Sequence, residues 1–188
     1  LASVSGDISG FVSLSNMPLV QDLSPLGGIT RVQRGINLFN MDGLTDLNGL
    51  NDLLEIDYLP ANPNNGSLSI NECDNLSDIS GIANLTFNGD EITLTNNPIL
   101  SACSVGAICD VIDDPAVTFT ISGNGQQCSS QAVIEQNCSE AFVPDDAFEQ
   151  ALIDRGLDVG PLDDYVPLQN ISTVTNLNVD NEGISDLT

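Results

Sequence analysis

Carboxylates and cysteines are the residues of this chain with chemistry to offer. There are 27 Asp and Glu, five Cys and no His among 188 residues. Without imidazole to activate a thiol, a Cys–His nucleophile is excluded. Hard carboxylate oxygens in a loop suit calcium, and Asp158, Asp163 and Asp164 in DVGPLDD are weak candidates. Their spacing departs from the EF-hand loop, and solvated carboxylates at turns are the competing reading. Beyond calcium, the residues imply no cofactor. A pair of carboxylates could also hydrolyse a glycosidic bond. Carbohydrate sites usually add aromatic platforms, however, and the chain has no Trp and only Tyr58 and Tyr165 as Tyr.

Four cysteines, Cys103, Cys109, Cys128 and Cys138, lie close together in sequence. Their spacing fits no usual zinc motif. Helical stretches at Val105–Ile112 and Ser130–Gln136 flank a strand at Val117–Ile121 (VTFTI). If the two helices lie side by side and parallel, Cys103–Cys128 and Cys109–Cys138 are the neighbouring pairs; the other two connectivities stay open. Each pair closes a loop of under 30 residues, a constraint of about 3 kcal/mol in the chain-entropy model. Disulfides belong to an oxidising compartment, so export to the cell surface or medium is expected. Cys73 is left free and reads as a small buried thiol.

The elements that must position these residues are aliphatic. Phe and Tyr together number eight, so Leu, Ile and Val must build the core. Against the 27 acids stand only Arg31, Arg34 and Arg155, a net charge of −24. Such a field repels phosphate backbones and anionic lipid, which argues against nucleic-acid and membrane-surface partners. No apolar run approaches the length of a membrane-spanning helix, so no insertion is expected. The sequence opens on Leu1 rather than Met and stops at Thr188 in mid-pattern, so a processed form or a piece of a longer protein is expected.

The organising stretch is Ile36–Leu53. It alternates as Ile36-x-Leu38, turns at Asn40-Met41-Asp42-Gly43, then places Leu44, Leu47, Leu50 and Leu53 three residues apart. Period 2 reads as strand and period 3 as tight helical turn. The pattern recurs. Val12-Leu14, Leu68-Ile70 and Ile92-Leu94 are equivalent strand pairs, followed at the same offset by Val20, Leu76 and Leu100. A unit this small cannot bury its apolar side alone, so the turns must stack. VTFTI supplies a fifth strand, and the Cys-rich segment caps the open end. Asp22, Asp46 and Asp78 recur before the second apolar position and read as caps for backbone N–H groups. Asn16, Asn40 and Asn96-Asn97 follow the strands and are expected to bond backbone groups at the bend. An insertion, Asp57–Gly66, separates the second and third turns as a surface loop.

ITLTNNPIL, LTDLNGLNDL and SLSINECDNLSDISGIANL resemble the leucine-rich-repeat family, above all the receptor L-domain-like variant of secreted Bacteroidetes proteins. The resemblance covers residues 1–138. It implies an α/β solenoid, right-handed, with one parallel strand per turn, whose open end the Cys-rich segment closes as a disulfide-clamped carboxyl-terminal cap. It supplies no catalytic residue. Residues 139–143 read as a linker. Residues 144–188 resemble the amino-terminal cap and first turn of a second, internalin-like array: Pro144, Asp145 and Asp146 start a helix, Phe148, Leu152 and Ile153 form its apolar face, and Gly156 stops it. A strand at Leu177–Val179 is expected there as an exposed edge, which is either disordered, paired with a neighbouring molecule or continued by further chain.

The resemblance implies binding rather than catalysis: a non-enzymatic adhesion module for protein or polysaccharide, delivered by type IX secretion. Asn37, Phe39, Ser69 and Thr93 on the outward strand face, and Tyr58 in the inserted loop, are the candidate ligand-binding residues. A structural spacer or self-assembling fibre subunit is the alternative, and a carboxylate-based glycan hydrolase the third reading. The outward Ser13, Asn37, Ser69, Thr93 and Thr120 fall short of the regular Thr ladder of an ice-binding face.

Overall fold

The protein is described by a computed structural model covering residues 5–57 and 66–186. Tyr58, expected in the ligand site, lies outside the described residues, as does most of the inserted loop. The chain divides into two compact units, Leu1–Glu135 and Gln136–Thr188.

The first unit is a parallel β-solenoid. Five strands form its main sheet: β2 (Phe11–Ser15), β4 (Gly35–Phe39), β6 (Ser67–Asn71), β8 (Glu91–Thr95) and β9 (Thr118–Ser122), paired in that order. Register holds without a slip from β2 to β9. The alternation explains this. Ile36, Leu38, Leu68, Ile70, Ile92 and Leu94 are at most 1% exposed on the inner face, and a slip of one residue would turn every one of them outward. Gly35 is required where β4 passes β6: its φ is +126°, and a Cβ there would sit 2.0 Å from the Ser67 carbonyl oxygen.

After each strand the chain bends through one residue in the left-handed region. Asn16, Asn40, Glu72, Asn96 and Gly123 stack in this role, with φ between 52° and 68°. The apolar positions that follow are set by tight turns. Leu44 N–H donates to Met41 O, Leu50 N–H to Leu47 O and Leu53 N–H to Leu50 O, each at 3.0 Å. Bonds three residues apart return every third side chain to one side, which is the physical origin of the leucine period. Leu44, Leu47, Leu76, Ile79 and Ile82 are fully buried as a result. Each buried side chain of this size contributes about 1.5–3 kcal/mol.

One strand per turn was expected, and the early turns carry two. A second parallel sheet runs β1 (Ser5–Ile8), β3 (Gly28–Val32), β5 (Glu55–Ile56) and β7 (Thr86–Phe87). Its strands shorten to two residues, too few for alternation to show. Ile29, Val32, Ile56 and Phe87 point into the core from this side.

The cap begins with α1 (Gly106–Cys109), shorter than the helical stretch expected at 105–112, and continues through β9 into α2 (Gln131–Ser139). Cys103 is disulfide-bonded to Cys128, the first of the expected pairings, and both are buried. Cys109 and Cys138 are disulfide-bonded as well.

The second unit corrects two expectations. Residues 139–143 are no linker: β10 (Glu140–Phe142) pairs antiparallel with β11 (Tyr165–Pro167), and Val143 packs with Leu152 and Val166 in the unit's small core. The Ala141-x-Val143 alternation needs that burial. Helix α3 (Asp146–Asp154) starts and stops where expected, and a short α4 (Leu168–Ile171) follows β11. Leu177–Val179 forms no strand, because a parallel strand exists only on a partner's ladder and none is present among the described residues.

Candidate functional site

Side chains alternate across β2, β4, β6, β8 and β9, so every second residue faces outward. The register aligns them in three columns. Phe11, Gly35, Ser67, Glu91 and Thr118 form the first; Ser13, Asn37, Ser69, Thr93 and Thr120 the second; Ser15, Phe39, Asn71, Thr95 and Ser122 the third. Strand spacing sets neighbours within a column about 4.8 Å apart, and columns about 7 Å apart along the strand. The predicted Asn37, Ser69 and Thr93 are thus successive members of one column, and Phe39 stands two residues along β4 from Asn37, in the third column between Ser15 and Asn71.

This face is polar and almost uncharged. Glu91 is the only ionisable side chain among its fifteen positions, in a chain of net charge −24. Some of its hydrogen-bonding capacity is already used. Asn37 Nδ2 donates to Ser13 Oγ at 3.1 Å, Thr93 Oγ1 to Glu91 Oε1 at 3.3 Å and Thr95 Oγ1 to Asn71 Oδ1 at 2.8 Å. These bonds hold side chains upright in their rows. The hydroxyls of Ser69, Thr120 and Ser122 make none among the described residues and remain open to a ligand. Phe39, partly buried between Ser15 and Asn71, is an aromatic platform in the third column, and Phe11 stands at the edge of the first. Sequence reasoning found the middle column but missed Asn71, Thr95 and Ser122 beside it. Strict alternation from the middle column would have named them.

Other predicted residues have structural roles. Asp22 Oδ1 accepts from Ser24 N–H at 2.7 Å, Asp46 Oδ1 from Asn48 N–H at 2.8 Å and Asp78 Oδ1 from Ser80 N–H at 2.6 Å. Bonds from the Ser24 hydroxyl and N–H hold the Asp22 carboxyl below its usual range. Carboxylates satisfied in this way are turn-formers, not ligands.

The asparagines split into two ladders, a distinction the sequence reading did not make. Asn16 and Asn40 serve the left-handed bend and bond each other, Asn40 Nδ2 to Asn16 Oδ1 at 2.9 Å. Of the four asparagines predicted at the bend, Asn97 turns inward to the backbone. Fully buried, it donates to Ile70 O at 3.1 Å and to Asn124 Oδ1 at 3.0 Å, and accepts from Cys73 N–H at 3.0 Å. Asn124 repeats the role one turn on, donating to Leu94 O at 2.7 Å. Cys73, one turn back, is fully buried and free, with its thiol on Asn71 O at 3.6 Å; burial pushes that thiol's pKa up, away from reactivity.

In the second unit, the calcium candidates do not converge. Among the described residues no group of three acidic or cysteine side chains is placed to hold a metal ion. Asp163 and Asp164 present their N–H groups, not their carboxylates, to fully buried Glu149, at 2.9 and 3.1 Å. Asp145 caps α3 through Phe148 N–H at 2.9 Å, and its other oxygen accepts from Ser185 N–H, Ser185 Oγ and Asp186 N–H at 2.8–3.0 Å. These donors, Ser185 foremost, hold its carboxyl well below the usual range.

No helix among the described residues is long and apolar enough to cross a membrane. The disulfides are consistent with an extracellular protein. No family model, curated protein or solved structure matches the chain.

Proposed function

We propose that this chain is a non-catalytic binding module that presents the outward face of its five-stranded sheet to a protein or polysaccharide. One observation carries the reading: three columns of mostly small polar side chains lie in register on one sheet, cleared of charge but for Glu91. Hydroxyls and amides spaced by a backbone ladder suit a polar, hydrated contact with an extended surface. Phe39 adds a stacking platform of the kind that sugar rings and aromatic side chains use. Glycosidic hydrolysis needs two carboxylates, and the face offers one. The sequence resemblance to leucine-rich-repeat and receptor L-domain-like proteins points the same way, toward a right-handed solenoid exported by type IX secretion and acting in adhesion.

The test is a glycan and protein array, followed by titration of any hit. Ser69→Glu and Thr93→Glu add charge at the centre of the face, and Phe39→Ala removes the platform. A saturable hit weakened at least tenfold by each is expected. Binding that survives all three substitutions, or no saturable hit, would refute the assignment.

A further inference from the structure

The charge of −24 is unevenly distributed. Residues 1–35 hold two acids, Asp7 and Asp22, and two arginines, Arg31 and Arg34; residues 36–135 hold fourteen acids and no cation. The first turn of the solenoid is therefore neutral and the rest strongly anionic. Among the described residues, both sheets have their edges at that end. β2 is an edge of its sheet and β1 an edge of the other. Phe11, Met17 and Leu19 stand 44%, 43% and 91% exposed there. Natural edges are blunted by charge, proline or bulges, and β2 (FVSLS) has none of these.

The edge has a definite hydrogen-bonding face. Asn16 N–H donates to Phe39 O, and Gly10 O accepts from Arg34 N–H, so the even-numbered residues of this segment face β4. The N–H and C=O groups of Phe11, Ser13 and Ser15 consequently face outward from the edge, where no strand among the described residues pairs with them.

We propose that this edge is an interface for a second copy of the chain, with β2 pairing antiparallel to its mate about a two-fold axis at Ser13. The three open residues are self-complementary in that arrangement: Ser13 exchanges both bonds with its mate, and Phe11 lies opposite the mate's Ser15. Charge selects the occupant. A copy approaching any later turn meets like charge, whereas two neutral first turns meet without repulsion and leave the acidic turns of each solenoid on opposite sides. The two polar faces then join into one ten-stranded sheet. The inference does not depend on the ligand that this face takes.

Sedimentation velocity of the full chain gives the first readout: a species near twice the 19.8 kDa chain mass, strengthening with added salt as screening relieves the acidic bodies. Ser13→Pro removes an N–H from the edge without touching the β4 ladder. It costs two bonds per dimer and weakens association about thirtyfold. Ser13→Glu sets two carboxylates opposite each other and weakens it about fivefold without altering the backbone. Opposed Cα atoms in such a pair lie about 5.5 Å apart, within disulfide reach, so Ser13→Cys should cross-link under mild oxidant. Circular dichroism checks that each variant is folded; if Ser13→Pro unfolds, Ser13→Glu and Ser13→Cys decide. A monomer at every salt concentration, assembly growing past the dimer, or a dimer indifferent to Ser13→Glu and uncross-linked by Ser13→Cys would each overturn the proposal.

Discussion

Replacing Asn97 with Ala tests whether the inner ladder holds the turns together. Asn97 is 0% exposed and joins three turns: it accepts from Cys73 N–H on one side and donates to Ile70 O there, and it donates to Asn124 on the other. Truncation orphans the Cys73 N–H and deprives the Ile70 carbonyl of a donor, both in a region that water does not reach. Each buried group left without its partner costs about 1–3 kcal/mol, so the expected loss is about 4 kcal/mol. Asn40→Ala is the internal control. Asn40 occupies the bend column and bonds only Asn16, so its loss is that of a non-glycine residue at φ 52°, about 1 kcal/mol. Urea titration gives both numbers, and hydrogen exchange at the Cys73 amide localises the first. An Asn97→Ala cost within about 1 kcal/mol of the Asn40→Ala cost would show that the ladder is not what secures the turns, and the reasoning would fail.

Three further outcomes follow from the same geometry. Glu72 sits at φ 54° in a column otherwise filled by Asn and Gly, so Glu72→Asn should raise the urea midpoint, by about 0.5–1 kcal/mol of stability. Glu149→Gln places an amide NH2 against the N–H of Asp163 or Asp164 and should cost about 2–3 kcal/mol, seen as a lower melting temperature and shifted amide resonances at those two residues. Asp145 titrates below its unfolded value, so its stabilising effect is complete above about pH 4 and is lost as pH falls further. Ser185 amide exchange should then accelerate in acid relative to the intrinsic rate, and Asp145→Asn should remove that dependence.

The solenoid was legible because its determinants are local and repeated. Ile36-x-Leu38 and Leu44, Leu47, Leu50 announce strand and tight turn in any one unit, and recurrence fixes which units stack. The second sheet was not legible: Glu55–Ile56 and Thr86–Phe87 show only one inward residue each, and two residues have no period. The inner ladder was hidden for another reason. Met41, Cys73, Asn97 and Asn124 share a position yet differ in chemistry, so only the hydrogen bonds reveal Asn97 and Asn124 as one device. In the second unit, Glu149 looked like one acid among many, because a buried carboxylate on α3 is distinguishable from a solvated one only by what surrounds it. Of the candidate site, the middle column was readable. Its near-neutrality and its flanking columns depend on register across five turns.

That register separates placement from identity. Where an outward side chain sits is decided by main-chain bonds made on the ladder and by the left-handed bend that follows each strand, and neither involves the side chain itself. A substitution at Ser69 or Thr120 therefore changes what is displayed at that coordinate and leaves the coordinate where it was. The face behaves as a grid of interchangeable sites, on which new recognition can be written one square at a time without reworking the leucines beneath.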